Sequence, residues 1–466
     1  MENRSSRRNI FILLVCFILS RVIIKSLGIS FVYKTIFEYW QYLDVESLEH
    51  NLLQSLWYQH SQPPVFNLLL GVVLKCSHSN APLIFEILFL LISISNAYLL
   101  LNILEKIACG KYLPLVIALI YILSPATILF ENELFYTSFT SFLLLSLITF
   151  LINFIHTPTT ARGIGIFSAL TLLGLTRSTY HLILLIFICG FLIFRFYRRK
   201  GSKLILLGSL ISLGIVGGWY LKNYFVFDNF SSSSWLGINL SRIVFHDIRI
   251  GDSSTIASVH PGLPLSYYKK YIDDEYKIKY AGLNDRILLN EIKNESFINM
   301  NHAGFLEVSQ KYLEASERYI FEKPYTYLGH AFTSLVIFFS PASSYFKVEE
   351  NNSRMRYYDL VYSFNLSHFF KEKKKKRVAL AISAIPLFLI YISVFGTVLR
   401  KALRNRFIST INFTIITIIL FILLISTFFE YGENMRFRYE LQPLFLILAS
   451  QAMIIIRRKD HVEISK

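Results

Sequence analysis

The chain has 466 residues, of which 54% are hydrophobic, 16% aromatic and only 17% charged. Soluble domains carry about a quarter charged residues, and apolar runs of about 20 residues, the length that spans a bilayer, recur along this sequence, so a soluble globular protein is excluded. The formal net charge is +16; its bases cluster between the apolar runs, which points to positive-inside bias and anionic lipid and not to nucleic acid.

Taken in chain order, MENRSSRRN precedes a first apolar run at Ile10 to Ile29. Arg4, Arg7 and Arg8 place the N-terminus in the cytosol. Arg21 and Lys25 follow without a small-residue cleavage site, so an uncleaved span is expected and not a signal peptide. Next comes YLDVESLEHNLLQSLWYQHSQPPVFNLLLG, Tyr42 to Gly71. Leu48, Leu52, Leu53, Leu56 and Trp57 recur at helical spacing, and Pro63-Pro64 breaks the helix. Val65 to Leu74 is too short to cross comfortably. Two short helices lying at the outer membrane surface are predicted.

Further spans are expected at Ala81 to Leu104, Tyr112 to Phe130, Leu134 to Ile155, Gly163 to Leu175, Tyr180 to Phe196 and Leu204 to Leu221. With the Pro63 to Lys75 stretch outside, Lys106, Lys111, Arg195, Arg198, Arg199, Lys200 and Lys203 all become cytosolic. Asp44, Glu131, Glu133 and Arg177 then share the outer side. Lys222 to about Lys323 is too polar to span and long enough for a small external subdomain. Val378 to Leu399, Ile408 to Phe429 and Leu441 to Ile456 are three further spans. Tyr325 to Tyr345 is apolar, short and interrupted by Pro341. If it stays outside, Arg400, Lys401, Arg404 and Arg406 are cytosolic, and the run KEKKKKR, Lys371 to Arg377, is external. If it crosses, the C-terminal half inverts, and the charge tally does not separate the two. The fold class expected is an all-α polytopic membrane protein with about 10–11 transmembrane helices. Its parts are a transmembrane module at 1–222 with an external loop at 30–80, an external subdomain at 223–345, and C-terminal helices at 346–466.

Cys16, Cys76, Cys109 and Cys189 sit in or beside apolar segments without a CxxC pair, which argues against a disulfide framework or a zinc site. Candidate chemistry lies on the outer side. Asp44, among Trp40, Tyr42 and Trp57, suits a general base for a sugar hydroxyl, and it also suits the N-cap of the helix that follows. Glu46 is the neighbouring acid. His60 in HSQPP could meet a phosphate, accept a proton or cap a helix. Glu131 and Glu133 close a span and could orient an acceptor or bind a divalent cation, although no third ligand is evident and no metal is assigned. Arg177, Arg242, Arg436 and Arg438 are arginines able to clamp a phosphate; snorkelling to the interface is the plainer role for most arginines at span ends.

The order of these features resembles a known family. A first span is followed by an acidic external loop, an H-x-x-P-P surface helix (His60 to Pro64), acids at a span end, WYLKNYFVF (Trp219 to Phe227), S-x-L-G-I-N-L (Ser234 to Leu240) and E-N-M-R-F-R-Y-E-L-x-P (Glu433 to Pro443). The chain is similar to the GT-C glycosyltransferases that use dolichyl- or undecaprenyl-phosphate sugars, among them the protein O-mannosyltransferases and the lipid A aminoarabinose transferases. The resemblance implies a GT-C fold and inverting transfer of a sugar, mannose-type for example, from a polyprenyl-phosphate donor to a protein, lipid or glycan acceptor at the outer or lumenal face. It implies Asp44, with Val45 and Glu46 following, as the base. Glu131 or Glu133 would be the second external acid of the family, Arg177, Arg436 or Arg438 would hold the departing phosphate, and a non-crossing Tyr325 to Tyr345 is favoured. His60 stands beside them as a substrate-binding candidate on its own residues. A bacterial inner membrane or an ER membrane would house such an enzyme. A lipid-linked glycan polymerase or ligase, and a flippase or transporter, are the alternatives.

Overall fold

The computed structural model describes residues 2–107, 110–246, 255–272, 286–405 and 408–464; Cys109 and Arg406 lie outside them. The first span is α1 (Glu2–Ser26). The predicted surface helix is broken at Asn51 into α2 (Val45–His50) and α3 (Leu52–Tyr58), and α4 (Val65–Ser77) follows Pro63-Pro64. Then come α5 (Ala81–Ile107), the pair α6 (Leu113–Leu123) and α7 (Pro125–Glu131), α8 (Thr137–His156), α9 (Thr160–Thr176), α10 (Leu182–Phe196) and α11 (Ser202–Phe227). The external segment holds α12 (Leu236–Val244), a hairpin of β1 (Ile292–Lys293) with antiparallel β2 (Phe297–Ile298), and α13 (Gly304–Glu322). The chain closes with α14 (Pro324–Phe339), α15 (Glu349–Arg354), α16 (Arg356–Ser363), α17 (Lys373–Arg404), α18 (Thr410–Phe429) and α19 (Asn434–Ile464).

Among the described residues seven helices are long and apolar enough to cross a membrane, and the bent pair α6–α7 makes an eighth. The protein is thus an all-α multi-pass integral membrane protein. The shorter apolar helices α9 and α10, of 17 and 15 residues, run between the ends of α8 and α11.

Helix ends sort into two faces by their contacts. At one face, Ser6 and Asn9 donate to Glu105 at 2.7 and 2.9 Å, Lys106 to Asn153 at 2.7 Å, and Arg195 to Thr410 at 3.1 Å. This face carries the basic clusters and is the cytosolic one by the positive-inside rule. At the other, Val32 bridges to Glu133, and Phe31 packs edge-on against Phe89 near the start of α5. Because α4 is followed at once by α5, which starts at this outer face, α4 begins and ends outside.

The same contacts decide the Tyr325 to Tyr345 question. At the start of α14, Tyr327 donates its hydroxyl to the Phe428 carbonyl at the outer end of α18 (2.7 Å). At its other end Arg438, one turn into α19, takes the Phe338 and Ser340 carbonyls at 3.0 and 3.2 Å. That end also packs Phe339 against Phe388 and Tyr391, which lie 15 and 18 residues into α17, so α14 descends from the outer face into the bundle without crossing it. The chain then returns outside, where Asn351 meets Ser30 and Glu350 meets Lys34. Consequently α17 starts outside, and the run from Lys371 to Arg377 is external, against the positive-inside bias.

The bend of 56° between α6 and α7 follows from Pro125, which has no N–H to continue the ladder. The carbonyls it frees are taken by partners distant in sequence. Arg21 donates to Ile122 at 2.8 Å, and the Tyr358 and Tyr362 hydroxyls donate to Leu123 and Ile120. In lipid each orphaned carbonyl costs on the order of several kcal/mol, so α1 and α16 stabilise the bend. At Gly237, in the α12 motif, an added Cβ would stand 1.7 Å from the Ser309 carbonyl oxygen. Only glycine allows α12 and α13 to cross so closely, and this crossing builds the outer layer.

Candidate functional site

Eight predicted site residues separate into structural anchors and an outer polar cluster once their partners are known. Glu131 is an anchor. Its two oxygens receive Arg21 Nε and Nη2 at 2.8 and 2.6 Å, a buried bidentate pair that ties α1 to α7. Arg438 is another, its guanidinium holding the last carbonyls of α14 as basic side chains do at helix C-termini. His60 is fully engaged. Its Nδ1 meets Ser234 Oγ at 2.8 Å and its Nε2 meets the Asn301 carbonyl at 2.9 Å. Burial, with Lys222 nearby, pushes its pKa down to about 3, so it stays neutral and joins the surface helices to the external subdomain.

Asp44 is the N-cap of α2, accepting the Ser47 N–H at 3.3 Å, and its other oxygen accepts the Asn294 N–H from the hairpin turn at 2.8 Å. Glu46 is exposed and pairs with Arg286 at 2.9 Å. Both acids line a cavity of about 640 Å³ together with Phe37, Asn290 and Lys293. The hairpin was not expected from the sequence; its turn places Asn294 and Glu295 at φ 46° and 64°, a left-handed conformation that asparagine tolerates better than most residues.

Arg177 and Arg436 share one cluster around Glu440 and the Phe437 ring on the far side of the Tyr39–Tyr42 segment, and Glu133 is linked to it through the Tyr39 and Phe135 rings. Buried Lys293 fixes that segment by donating to the Tyr39 and Tyr42 carbonyls. The Tyr39 hydroxyl in turn donates to Glu133. Glu133 is 1% exposed, and burial pushes its carboxyl up to about 8, against the lowering pull of Tyr39 and Lys347. Lys347 stands over the Tyr39 ring at 4.7 Å.

Arg436 forms the centre. It is 2% exposed and sits in an aromatic box, with its guanidinium carbon 4.5 Å from the Phe135 ring centroid, 5.3 Å from Tyr136 and 5.7 Å from Tyr345. One nitrogen reaches Glu433 at 2.5 Å. Its Nε and Nη1 meet no protein acceptor. A buried charged donor left unpaired costs on the order of 1–3 kcal/mol or more. Glu433 would be raised by burial, but Arg436 and Arg242 hold it below the ordinary carboxylate range. Arg177 is more fully matched: it donates to Glu440, lies 3.7 Å over the Phe437 ring, and Tyr180 shares the same carboxylate at 3.4 Å.

The outer side therefore holds a buried cation with unused donors, stacked rings including the Phe135–Tyr136 pair at 4.1 Å and, behind the Tyr39 and Phe135 rings, a carboxyl raised towards neutrality. Such groups can bind a phosphate or phosphodiester at the arginine and take up one proton at the carboxyl. Sequence reasoning missed Tyr39, Tyr345, Lys347 and Glu440. The i, i+3 spacing of Glu433 and Arg436 on a helix was the available signal for their pairing. Among the described residues no group of three His, Cys, Asp or Glu side chains is placed to hold a metal ion. Searches against protein-family models, curated proteins and solved structures found no match to this chain.

Proposed function

We propose that the protein is a membrane glycosyltransferase of GT-C type that moves a sugar from a polyprenyl-phosphate sugar to a hydroxyl acceptor at the outer face. The observation that carries this reading is the buried Arg436 guanidinium, whose Nε and Nη1 have no protein acceptor and are walled by aromatic rings. A donor phosphate there would satisfy the cation while its prenyl chain stayed in lipid. Charge on that phosphate grows as the glycosidic bond breaks, and a fixed guanidinium favours that state over the ground state.

In this reaction the acceptor oxygen forms a bond to the anomeric carbon, the bond from that carbon to the phosphate oxygen breaks in line, and the acceptor proton passes to a carboxylate. Glu133 is the carboxylate we assign to the last step: it is held near the pH at which a general base works and is linked to the arginine cluster through the Tyr39 and Phe135 rings. Asp44 and Glu46, the acids favoured by the family resemblance, lie across the Tyr39–Tyr42 segment from Arg436. Asp44 thus fits a positioning role. It holds the hairpin that carries Lys293, which fixes Tyr39, which donates to Glu133.

The test supplies membranes containing the chain with radiolabelled prenyl-phosphate sugar and follows label into lipid, protein and glycan fractions. Transfer by the wild type and its loss in Glu133→Gln, with the protein still inserted, supports the proposal. Full activity in Glu133→Gln and none in Asp44→Asn would move the base back to Asp44. Transfer only from a prenyl-diphosphate glycan indicates a polymerase or ligase.

A further inference from the structure

The segment from Lys371 to Arg377, KEKKKKR, holds six bases and one acid and lies at the face where such runs are disfavoured. Part of it also begins α17. Four lysines in a row at the start of a helix stand at the positive end of its dipole, where cations are unfavourable. Within the protein, Lys375 reaches Glu372 at 2.8 Å and Lys376 reaches Glu349 at 2.9 Å. Lys371, Lys373 and Lys374 are exposed. The fold gains little from this charge, and the helix is weakened by it.

The depth of the run is set by its neighbours. The Leu366 N–H donates to Ser383 Oγ at 3.1 Å. Ser383 lies ten residues along α17 from Lys373, about 15 Å along the axis at 1.5 Å per residue. The chain therefore dips through α16, which lies against the bent span, and climbs back to the lysines. Along the dip Tyr357, Val361, Phe364 and Phe369 are 69, 85, 48 and 63% exposed. Large apolar side chains bared below a belt of lysines mark the boundary between hydrocarbon and headgroups.

From this arrangement we infer that residues 371–377 bind the phosphate headgroups of anionic lipids in the outer leaflet. The aromatic dip fixes the height of the surface, and the lysines supply the complementary charge. The surface continues towards the arginine cluster through the Lys376–Glu349 pair and Lys347, which stands over Tyr39. Anionic lipid is thereby concentrated at the flank of that cluster.

The test uses the full chain in lipid vesicles with a fluorophore on a cysteine at residue 370 (Phe370→Cys, the native cysteines replaced). Quenching is compared for phosphatidylcholine vesicles containing brominated phosphatidylglycerol or brominated phosphatidylcholine at equal mole fraction. Each basic residue near an anionic surface is worth about a fivefold enrichment. The expected result is quenching by the anionic lipid at least twofold above the zwitterionic one. That excess should vanish in Lys371→Gln/Lys373→Gln/Lys374→Gln/Arg377→Gln and in high salt. Equal quenching by both lipids in the unsubstituted chain, or an excess that survives the four substitutions, overturns the inference. Loss of the excess on adding millimolar inorganic phosphate at constant ionic strength also overturns it, since the site would then be one for free phosphate. The label reports only its own face, so the cytosolic basic clusters do not contribute.

Discussion

Replacing Arg436 by glutamine removes the guanidinium while keeping some polar bulk. Its Nε and Nη1 are the donors without protein partners. Hydrogen bonds to charged groups are worth about 1.5–3 kcal/mol each. Two such bonds to a donor phosphate amount to roughly 3–6 kcal/mol, or about 10²–10⁴ in kcat/KM at 1.4 kcal/mol per factor of ten. The substitution also leaves Glu433, 9% exposed, without its partner at 2.5 Å. The double variant Arg436→Gln/Glu433→Gln controls for this. Initial rates of labelled-sugar transfer in membranes, normalised to inserted protein, are the assay. The expected outcome is a loss of at least about 10² in Arg436→Gln, unrelieved in the double variant. A single variant within threefold of wild type would refute the reasoning. So would recovery in the double variant, because the arginine would then serve only to neutralise Glu433.

Glu133 predicts two pH effects. If it is the base, transfer rises with pH to a plateau above about 8, and Glu133→Gln abolishes that limb, as rate profiles in buffered membranes would show. For stability, the folded state keeps this proton where the unfolded chain has released it. The contribution is therefore fully present below the ordinary value of 4.5 and is lost as pH rises through about 8. The unfolding temperature of Glu133→Gln should accordingly gain on wild type between pH 5 and 8.5. Arg21→Met leaves Glu131 as an uncompensated buried charge and should cost about 3–5 kcal/mol, whereas Arg21→Met/Glu131→Leu should recover most of it in detergent unfolding. Asn301→Ala removes the acceptor of the His60 and Ser61 N–H groups, at 2.8 and 3.0 Å. A loss of about 2 kcal/mol from two orphaned donors is expected, read by the same assay. Impermeant thiol reagents should label cysteines placed at 373 and 325, where the native side chains are exposed, from the outer side and one placed at 401 only from the cytosol.

The spans were legible because a bilayer demands apolar length, and apolar length is written locally; Val378 to Leu399 and Ile408 to Phe429 show it. The re-entrant course of α14 was not, since its evidence is remote partners: Phe428 and Arg438, and Phe388 and Tyr391 within α17. A helix one or two turns too short for a membrane says nothing by itself about where its ends are tied. The hairpin at Ile292–Ile298 was hidden for a related reason. Its turn is stabilised by Asp44, some 250 residues away, and its strands are only two residues long. At the site, Arg436 and Glu133 stood out as charges near span ends. Their environment did not, because Tyr39 is 94 residues from Glu133 and nothing in a tyrosine's own surroundings names the carboxyl it meets. The reading of Asp44 as N-cap was legible from the helix that follows it.

The central claim is that Arg436 holds the phosphate of a lipid donor. It is tested most directly by equilibrium binding of a labelled polyprenyl phosphate to the purified chain in nanodiscs, wild type against Arg436→Gln. Saturable binding to the wild type, weakened about a hundredfold or more in the variant, is the predicted result. Equal affinity in both, with each protein folded, contradicts it.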